Sequence, residues 1–457
     1  MKVCMFVMVD CNDNYRTARI PARTLADAGH DVRIIALLSP DTTAYEESDG
    51  ARIFRVRLLP HILKQLLTPQ TRKSDSAVAE GAVEARDNIL RCNPLSRVYK
   101  ILGMLQLKVL RVLYRMVLWP LVQRSSLVYS AYTYSVYVDY YMRSFWVAWK
   151  EKADVYHAHD LITLPVAWLC SRVTGGKLVY DAHELWLDRG RLPKRSRLNK
   201  FLVQRVESFL IRRTDANIMA GESSAKELSK RYHIPPLTVI LNVPFYHPYE
   251  RSTVLRDSLR ISKEEKILLF EGRIDVNRGI EEGILSLKYL SHCSLVMLGF
   301  GPDLYISSLK RLIEKEGLTD RVYFFDAVPF DEVTRTAMSA DVGLILLQNA
   351  DLNFYYASPN KLFDFMAAGL PVVGSNFPDL KKYIEGYDVG VTCDPTNPRA
   401  IADAMNYIIS DENRYNEMKK NALEAAKIFN WENEGRKLVA LYAGLSGKKE
   451  GIKPNSN

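Results

Sequence analysis

Short apolar runs and stretches of helical period alternate along most of this chain. Val3–Val9 reads as a strand, Arg16–Ala28 as a helix closed by Gly29, and Val32–Leu37 and Arg52–Val56 as further strands. Thr68 to Arg91 is polar and rich in Ala, Ser and Glu, the composition of a loop. The alternation resumes with strands at Asp154–His157, Lys177–Tyr180, Ala216–Met219 and Thr238–Leu241, and helices at Leu161–Arg172 and Leu198–Arg213. Asn242-Val243-Pro244 and His247-Pro248 read as a linker. Strands are then expected at Lys266–Glu271, Leu295–Leu298, Val322–Phe325, Val342–Leu346, Val372–Val373 and Gly390–Thr392, with helices between them and a last helix from near Trp431. Two successive β/α series predict an α/β protein of two domains, each a parallel sheet covered by helices.

Composition agrees: 457 residues, 47% of them hydrophobic, are enough to bury two cores. The apolar run after Met1-Lys2 is too short for a secretory signal core. Six scattered cysteines without a C-x-x-C suit a reducing compartment, and no His/Cys/Asp spacing marks a metal site.

The net charge of +9 is concentrated. Asn88 to Val138 holds seven Lys or Arg and no acid, and Arg189 to Arg213 holds nine with Glu207 alone against them. Such density meets phosphate, as nucleic acid or anionic lipid. Asn93-Pro94 opens a helix and Pro120 stops it; between them Arg97, Lys100, Lys108, Arg111 and Arg115 fall within an arc of roughly 80° on an otherwise apolar cylinder. Spanning a bilayer would bury those charges at about 2.5–3.5 kcal/mol each, so the helix is expected to lie in an interface. Leu127 to Trp149 follows with eight Tyr or Trp, as interfacial belts do. The competing reading is a helical hairpin near 94–149 packed on its own domain. So apolar a helix offers nothing to a nucleic-acid groove, and no nucleic acid is expected as partner.

Ser358 to Val373, SPNKLFDFMAAGLPVV, carries the most chemistry. Pro359 fixes the backbone ahead of an apolar helix that Gly369 and Pro371 end, which puts Asn360 and Lys361 at a helix N-terminus favourable to an anion. Asp364, one turn in, can accept hydrogen bonds from a pair of hydroxyls, and a phosphate beside a diol describes a nucleotide. Upstream, the strand KILLFE runs into Gly272-Arg273 and then Asn277-Arg278-Gly279, which brings two guanidiniums toward one pocket. Their planar forks suit a diphosphate.

These residues resemble the retaining glycosyltransferases of family 4 (glycosyl transferases group 1), with their Gly-Arg then Lys-Gly pattern and a donor helix reading x-[E/D]-x-M-A-x-G-x-P-V-V. The resemblance covers most of the chain, best over 266–374. It implies the glycosyltransferase B fold: two Rossmann-like domains with a cleft between them and a C-terminal helix returning to the N-domain. Residues 1–243 would form the acceptor-binding domain with the insertion near 94–149, 244–430 the nucleotide-sugar-binding domain, and 431–457 the returning helix and tail. Arg273, Arg278 and His159 would be catalytic. Gly272, Asn360, Lys361, Asp364, Ser358 and Tyr356 would hold the nucleotide-sugar. Arg278 stands where the family has lysine, Tyr356 where it often has an acid, and Asp364 is one methylene shorter than the usual Glu.

In open parallel sheets ligands bind beyond the carboxyl ends of the strands. His157-Ala158-His159-Asp160 and Asp181-Ala182-His183-Glu184 are therefore expected at the cleft. Asp160, His183 and Glu184, with Asn12 and Arg16 from the first turn, are the acceptor-side candidates; a metal held by the histidines is the rival use of that cluster. The resemblance implies a metal-independent hexosyltransferase with no cofactor, whose nucleotide-sugar donor is a substrate. With the basic insertion, it points to a lipid-linked glycan as acceptor in surface polysaccharide assembly, and to a cytoplasmic enzyme peripheral on an anionic membrane face. A sugar-nucleotide epimerase of the same fold and a non-catalytic membrane-surface protein are the alternatives.

Overall fold

The computed structural model describes residues 1–11, 15–39, 42–58, 126–190 and 197–447. Two sheets organise them. The first has eight strands: β1 (Lys2–Phe6), β2 (Asp31–Leu37), β3 (Tyr45–Ser48), β4 (Ala51–Val56), β5 (Val155–His159), β6 (Lys177–Asp181), β7 (Ala216–Met219) and β8 (Thr238–Val239), in the order β3-β4-β2-β1-β5-β6-β7-β8. All pairings are parallel except β3 with β4. That antiparallel edge strand departs from the expected all-parallel sheet. Tyr45–Ser48 is mostly polar and has only one neighbour, so it lacks the apolar run by which a buried strand is read. The second sheet is wholly parallel: β9 (Lys266–Glu271), β10 (Cys293–Leu298), β11 (Val322–Phe325), β12 (Val342–Ile345), β13 (Val372–Ser375) and β14 (Gly390–Cys393), ordered β11-β10-β9-β12-β13-β14.

The order reverses between β1 and β5 in the first sheet and between β9 and β12 in the second. Such reversals leave a crevice at the carboxyl ends of the strands, because the adjoining connections run to opposite faces. The helices that matter in the first domain are α1 (Ile20–Asp27), α2 (Ser126–Glu151), α3 (Asp160–Thr174), α4 (Arg197–Ile211) and α5 (Glu222–Tyr232). In the second they are α6 (Ile280–Ser286), α7 (Asp303–Lys315), α8 (Asn360–Ala367), α9 (Pro378–Gly386), α10 (Pro398–Ile409) and α11 (Glu412–Ile428), with α12 (Trp431–Leu445) at the end.

The basic helix expected over 94–120 lies outside the described residues. The aromatic stretch after it is α2, and its rings divide between two environments. Tyr140 is fully buried with Val136 and Ala148 in the domain core, whereas Trp146 is 57% exposed. Among the described residues no helix is long and apolar enough to cross a membrane.

Helix α12 crosses back to the first domain. Its Trp431 indole N–H donates to Thr24 Oγ1 on α1 at 2.8 Å, and Tyr442 Oη lies 2.7 Å from Nδ1 of His157 in β5. Glu434, 2% exposed, accepts from the Leu241 amide at 3.0 Å. Glu434→Ala leaves that buried amide without a partner, a loss of about 1–3 kcal/mol. Urea denaturation checks it; an unchanged midpoint would show that the clamp adds nothing to stability.

Candidate active site

The second domain builds its half of the site at the end of β9. Pro359 precedes α8 in extended backbone, and the apolar residues Leu362, Phe363, Phe365 and Met366 bury the helix on nearly all sides. Lys361 and Asp364 are drawn in with them, 7% and 1% exposed. The Lys361 ammonium sits 4.1 Å over the Phe270 ring, and a Cβ on Gly272 would lie 3.8 Å from Nζ. Gly272, at φ +106°, turns the chain without a side chain in a conformation that other residues rarely adopt.

Beside it stands Glu271, whose Oε2 is buried without a hydrogen-bond partner. Burial, then the charge of Asp364, pushes the Glu271 carboxyl well up. Burial, then the charge of Arg278, pushes the Lys361 ammonium down. Arg278 is presented by a tight loop: Asn277 has φ 62° and Gly279 φ 65°, and a Cβ on Gly279 would fall 2.2 Å from the Leu346 carbonyl oxygen. Its guanidinium lies 5.8 Å from the Phe354 ring. Arg273 differs, being half-exposed and paired with Asp275 at 3.0 Å.

The first domain supplies a histidine stack from the ends of β5 and β6. His157 and His159 rings stand 4.4 Å apart, and His159 and His183 rings 5.2 Å apart. His159 Nδ1 meets His183 Nε2 at 2.9 Å. Asp181 lies 3.7 Å from His157, 3.7 Å from His159 and 3.5 Å from His183. Burial alone would raise the Asp181 carboxyl, but the three histidines, His183 foremost, outweigh it and hold it well below the usual carboxylate range. Burial, and then His157, lowers His159, which favours the neutral ring. Among the described residues, His157, His159 and Asp181 are the one metal-ligating group brought together, within 4.8 Å of one another.

Asp160 and His183 both take left-handed backbone, at φ 65° and 49°, a strain that non-glycine residues carry most often at functional sites. The Asp160 carboxyl is pushed up to about 6 by burial.

The domains meet across the cleft. Arg16 donates to both carboxylate oxygens of Asp364, at 2.8 and 3.1 Å, with its guanidinium 4.6 Å over Phe330. Asp379 accepts from the Ser223 amide at the start of α5 at 3.2 Å and from Ser358 Oγ at 2.6 Å. The Leu185 amide donates to Asn353 Oδ1 at 3.0 Å, and the Gly190 amide to Asp351 Oδ2 at 2.7 Å. The cleft is closed on itself.

Two sequence families account for nearly all of this. The profile of the glycosyl transferase 4-like domain matches residues 16–242, and that of glycosyl transferases group 1 matches residues 252–425. The chain belongs to the group 1 glycosyltransferases. It is similar to the D-inositol 3-phosphate glycosyltransferase of Corynebacterium urealyticum, 26% identical over 64% of this chain and 72% of that one. Its fold is that of sucrose-phosphate synthase from Thermosynechococcus elongatus (TM-score 0.66, 16% identity, 98% of this chain and 99% of that one). Anabaena HepE, solved in complex with UDP-glucose, shares it too (TM-score 0.65, 14% identity, 97% of this chain and all of that one). This glycosyltransferase thus has the glycosyltransferase B fold expected from its motifs.

Of the residues singled out in the sequence, Gly272, Arg278, Lys361 and Asp364 gather at the end of β9, while His159, Asp160, His183 and Glu184 gather at the ends of β5 and β6. Arg16, placed among the acceptor candidates, bonds the donor-side Asp364. Ser358 bridges to Asp379, Asn360 is exposed, and the Tyr356 carbonyl accepts from Ser224 at 3.1 Å. Glu184 pairs with Arg189 at 2.7 Å. Asn12 lies outside the described residues. The sequence does not mark Glu271 and Asp379 as site residues, and it places Asp181 at the cleft without giving it a role. The only signal for Glu271 and Asp181 is an acid closing an apolar strand, and Asp379 becomes visible only once α5 and α9 meet.

Arg16→Met keeps the stem and removes both cross-cleft hydrogen bonds. Small-angle scattering of the ligand-free protein is expected to give a larger radius of gyration than the wild type; an identical value would show that the pair does not hold the cleft shut.

Proposed function

We propose that this glycosyltransferase moves a sugar, with retention, from a nucleoside-diphosphate sugar to a lipid-linked glycan in surface polysaccharide assembly. The observation that carries the donor half is the cluster of buried Lys361 and Asp364 with half-buried Arg278 and Glu271 beside the bare backbone of Gly272. Lys361 and Arg278 meet the diphosphate, and Arg273 joins them by leaving Asp275. Charge grows on the leaving oxygen as the bond to the anomeric carbon breaks, and prearranged cations lower that barrier without reorganising solvent. On this reading they supply the positive charge themselves, with no cofactor or metal. Asp364 holds the ribose hydroxyls, which take the place of Arg16. Neutral His159, positioned by Asp181 and His183, faces the transferred sugar and the acceptor hydroxyl. The UDP-glucose complex of Anabaena HepE on the same fold supports a nucleotide-sugar donor. Retention rests on the family, and the lipid-linked acceptor, the cytoplasmic face and the peripheral location rest on the charge distribution.

A thermal-shift panel of UDP-, GDP- and ADP-sugars identifies the donor, since a ligand that binds the folded state raises its melting temperature. No shift with any of them removes the donor site. Conversion of a sugar nucleotide to its epimer without acceptor would replace transfer by epimerisation.

Arg278→Ala is expected to lower turnover by about two orders of magnitude or more, and Arg278→Lys by less. Near-normal turnover in both Arg273→Ala and Arg278→Ala would move the donor site elsewhere. Asp364→Asn should weaken nucleoside diphosphate binding in calorimetry. Because a diphosphate raises the lowered Lys361 ammonium, binding above neutral pH should take up protons, seen as an enthalpy that changes with the buffer's ionisation heat. A buffer-independent enthalpy would take Lys361 out of phosphate contact.

A further inference from the structure

Helix α4 wears its apolar residues outward. Leu198, Phe201, Leu202, Val206 and Phe209 are 66, 49, 54, 48 and 46% exposed, and their spacing of three and four puts them on one stripe. The buried stripe of the same helix carries Leu210 and Ile211 and its single acid, Glu207, which accepts from the Tyr180 and Tyr232 hydroxyls at 3.1 and 2.6 Å. The outward charge of α4 is therefore entirely positive. Arg205 lies 4.9 Å over Phe201, and Arg213, just past the helix end, 3.5 Å over Phe209, so both cations flank the apolar stripe. Between α4 and its neighbours runs an almost wholly apolar groove of about 550 Å³, lined by Pro165, Trp168 and Leu169 of α3 and Tyr141 of α2. A soluble face gains nothing from such an arrangement; a contiguous apolar patch rimmed by like charge marks a binding surface.

We propose that α4, with the groove beside it, is a docking surface for an anionic phospholipid bilayer, lying in the interface with its apolar stripe among the acyl chains and its arginines at the headgroup phosphates. This rests on the reading that the acceptor is lipid-linked, and assigns the contact to described residues that follow the cleft-lining end of β6. Charge complementarity selects the occupant: the outward cations and the absence of any outward acid on α4 suit anionic lipid, and aromatic and aliphatic side chains beside Arg are what interfacial helices present.

The test uses the full chain, with vesicles of phosphatidylcholine alone and with phosphatidylglycerol added. The wild type is expected to co-sediment with the anionic vesicles and to be released by high salt, which screens surface charge. Phe201→Ser/Leu202→Ser/Phe209→Ser should stay in the supernatant with an unchanged melting temperature. Arg205→Gln/Arg213→Gln should bind roughly 30-fold more weakly, at about 1 kcal/mol per cation. Both variants should keep the thermal shift given by UDP or the donor found above, so failure of docking and failure of the donor reading are separable. Wild-type protein that binds neither vesicle overturns the proposal, as does a triple variant that binds as well as the wild type. A triple variant with a lowered melting temperature, or one that turns a dimer into monomer, would show the stripe covered by residues 59–125 or by a second copy, and would overturn it too.

Discussion

Asp364 is a carboxylate one turn into a helix that is otherwise packed in apolar surroundings, and at 1% exposure it requires a partner. That partner comes from the other domain. Removing one side of such a buried pair typically costs about 3–5 kcal/mol, because the remaining charge stays desolvated. Arg16 therefore occupies Asp364 at the spot where the proposed donor must enter. A nucleotide that reaches Asp364 has to supply hydroxyl donors in exchange and leave the guanidinium free to turn to phosphate. Under that reading the same contact provides closure without ligand and selectivity with it.

The rest of the cleft follows the same rule: polar groups are buried only where the two domains complete each other. Asp379 satisfies the amide of Ser223 at the start of α5, where a helix favours an anion. Asn353 and Asp351 receive the loop after β6. Helix α12 adds a third tie, with Tyr442 fixing the outermost ring of the histidine stack. Asp181 lies within 3.7 Å of all three rings, and burial first, then His157, favours the neutral form of His159. The ties between the domains thus reach the side chains proposed to handle the acceptor.

Helix α4 shows a different balance. Its one acid is buried beside Leu210 and Ile211, while five further apolar residues face outward, where a surface helix in water carries polar ones. Burial raises the Glu207 carboxyl, yet two tyrosine hydroxyls satisfy it, so the helix is anchored by its inner face.

Much of this was legible in the residues. Apolar runs marked nearly every strand, because a parallel strand is covered on both faces and reads as continuous hydrophobicity. The edge strand Tyr45–Ser48, half-exposed and polar, carries no such run. The donor motif was legible too, since Pro359 and Gly369 punctuate α8 by local backbone chemistry alone. The partners of those residues were not. Nothing local to Arg16 points to Asp364, 348 residues away. Likewise, the basic run Arg189 to Arg213 announced charge, but which side of α4 faces outward was settled only when Tyr180 and Tyr232 claimed Glu207. Periodicity and turn chemistry are properties of neighbours in the chain; pairing of buried charge is a property of neighbours in space, and only the tertiary structure decides those.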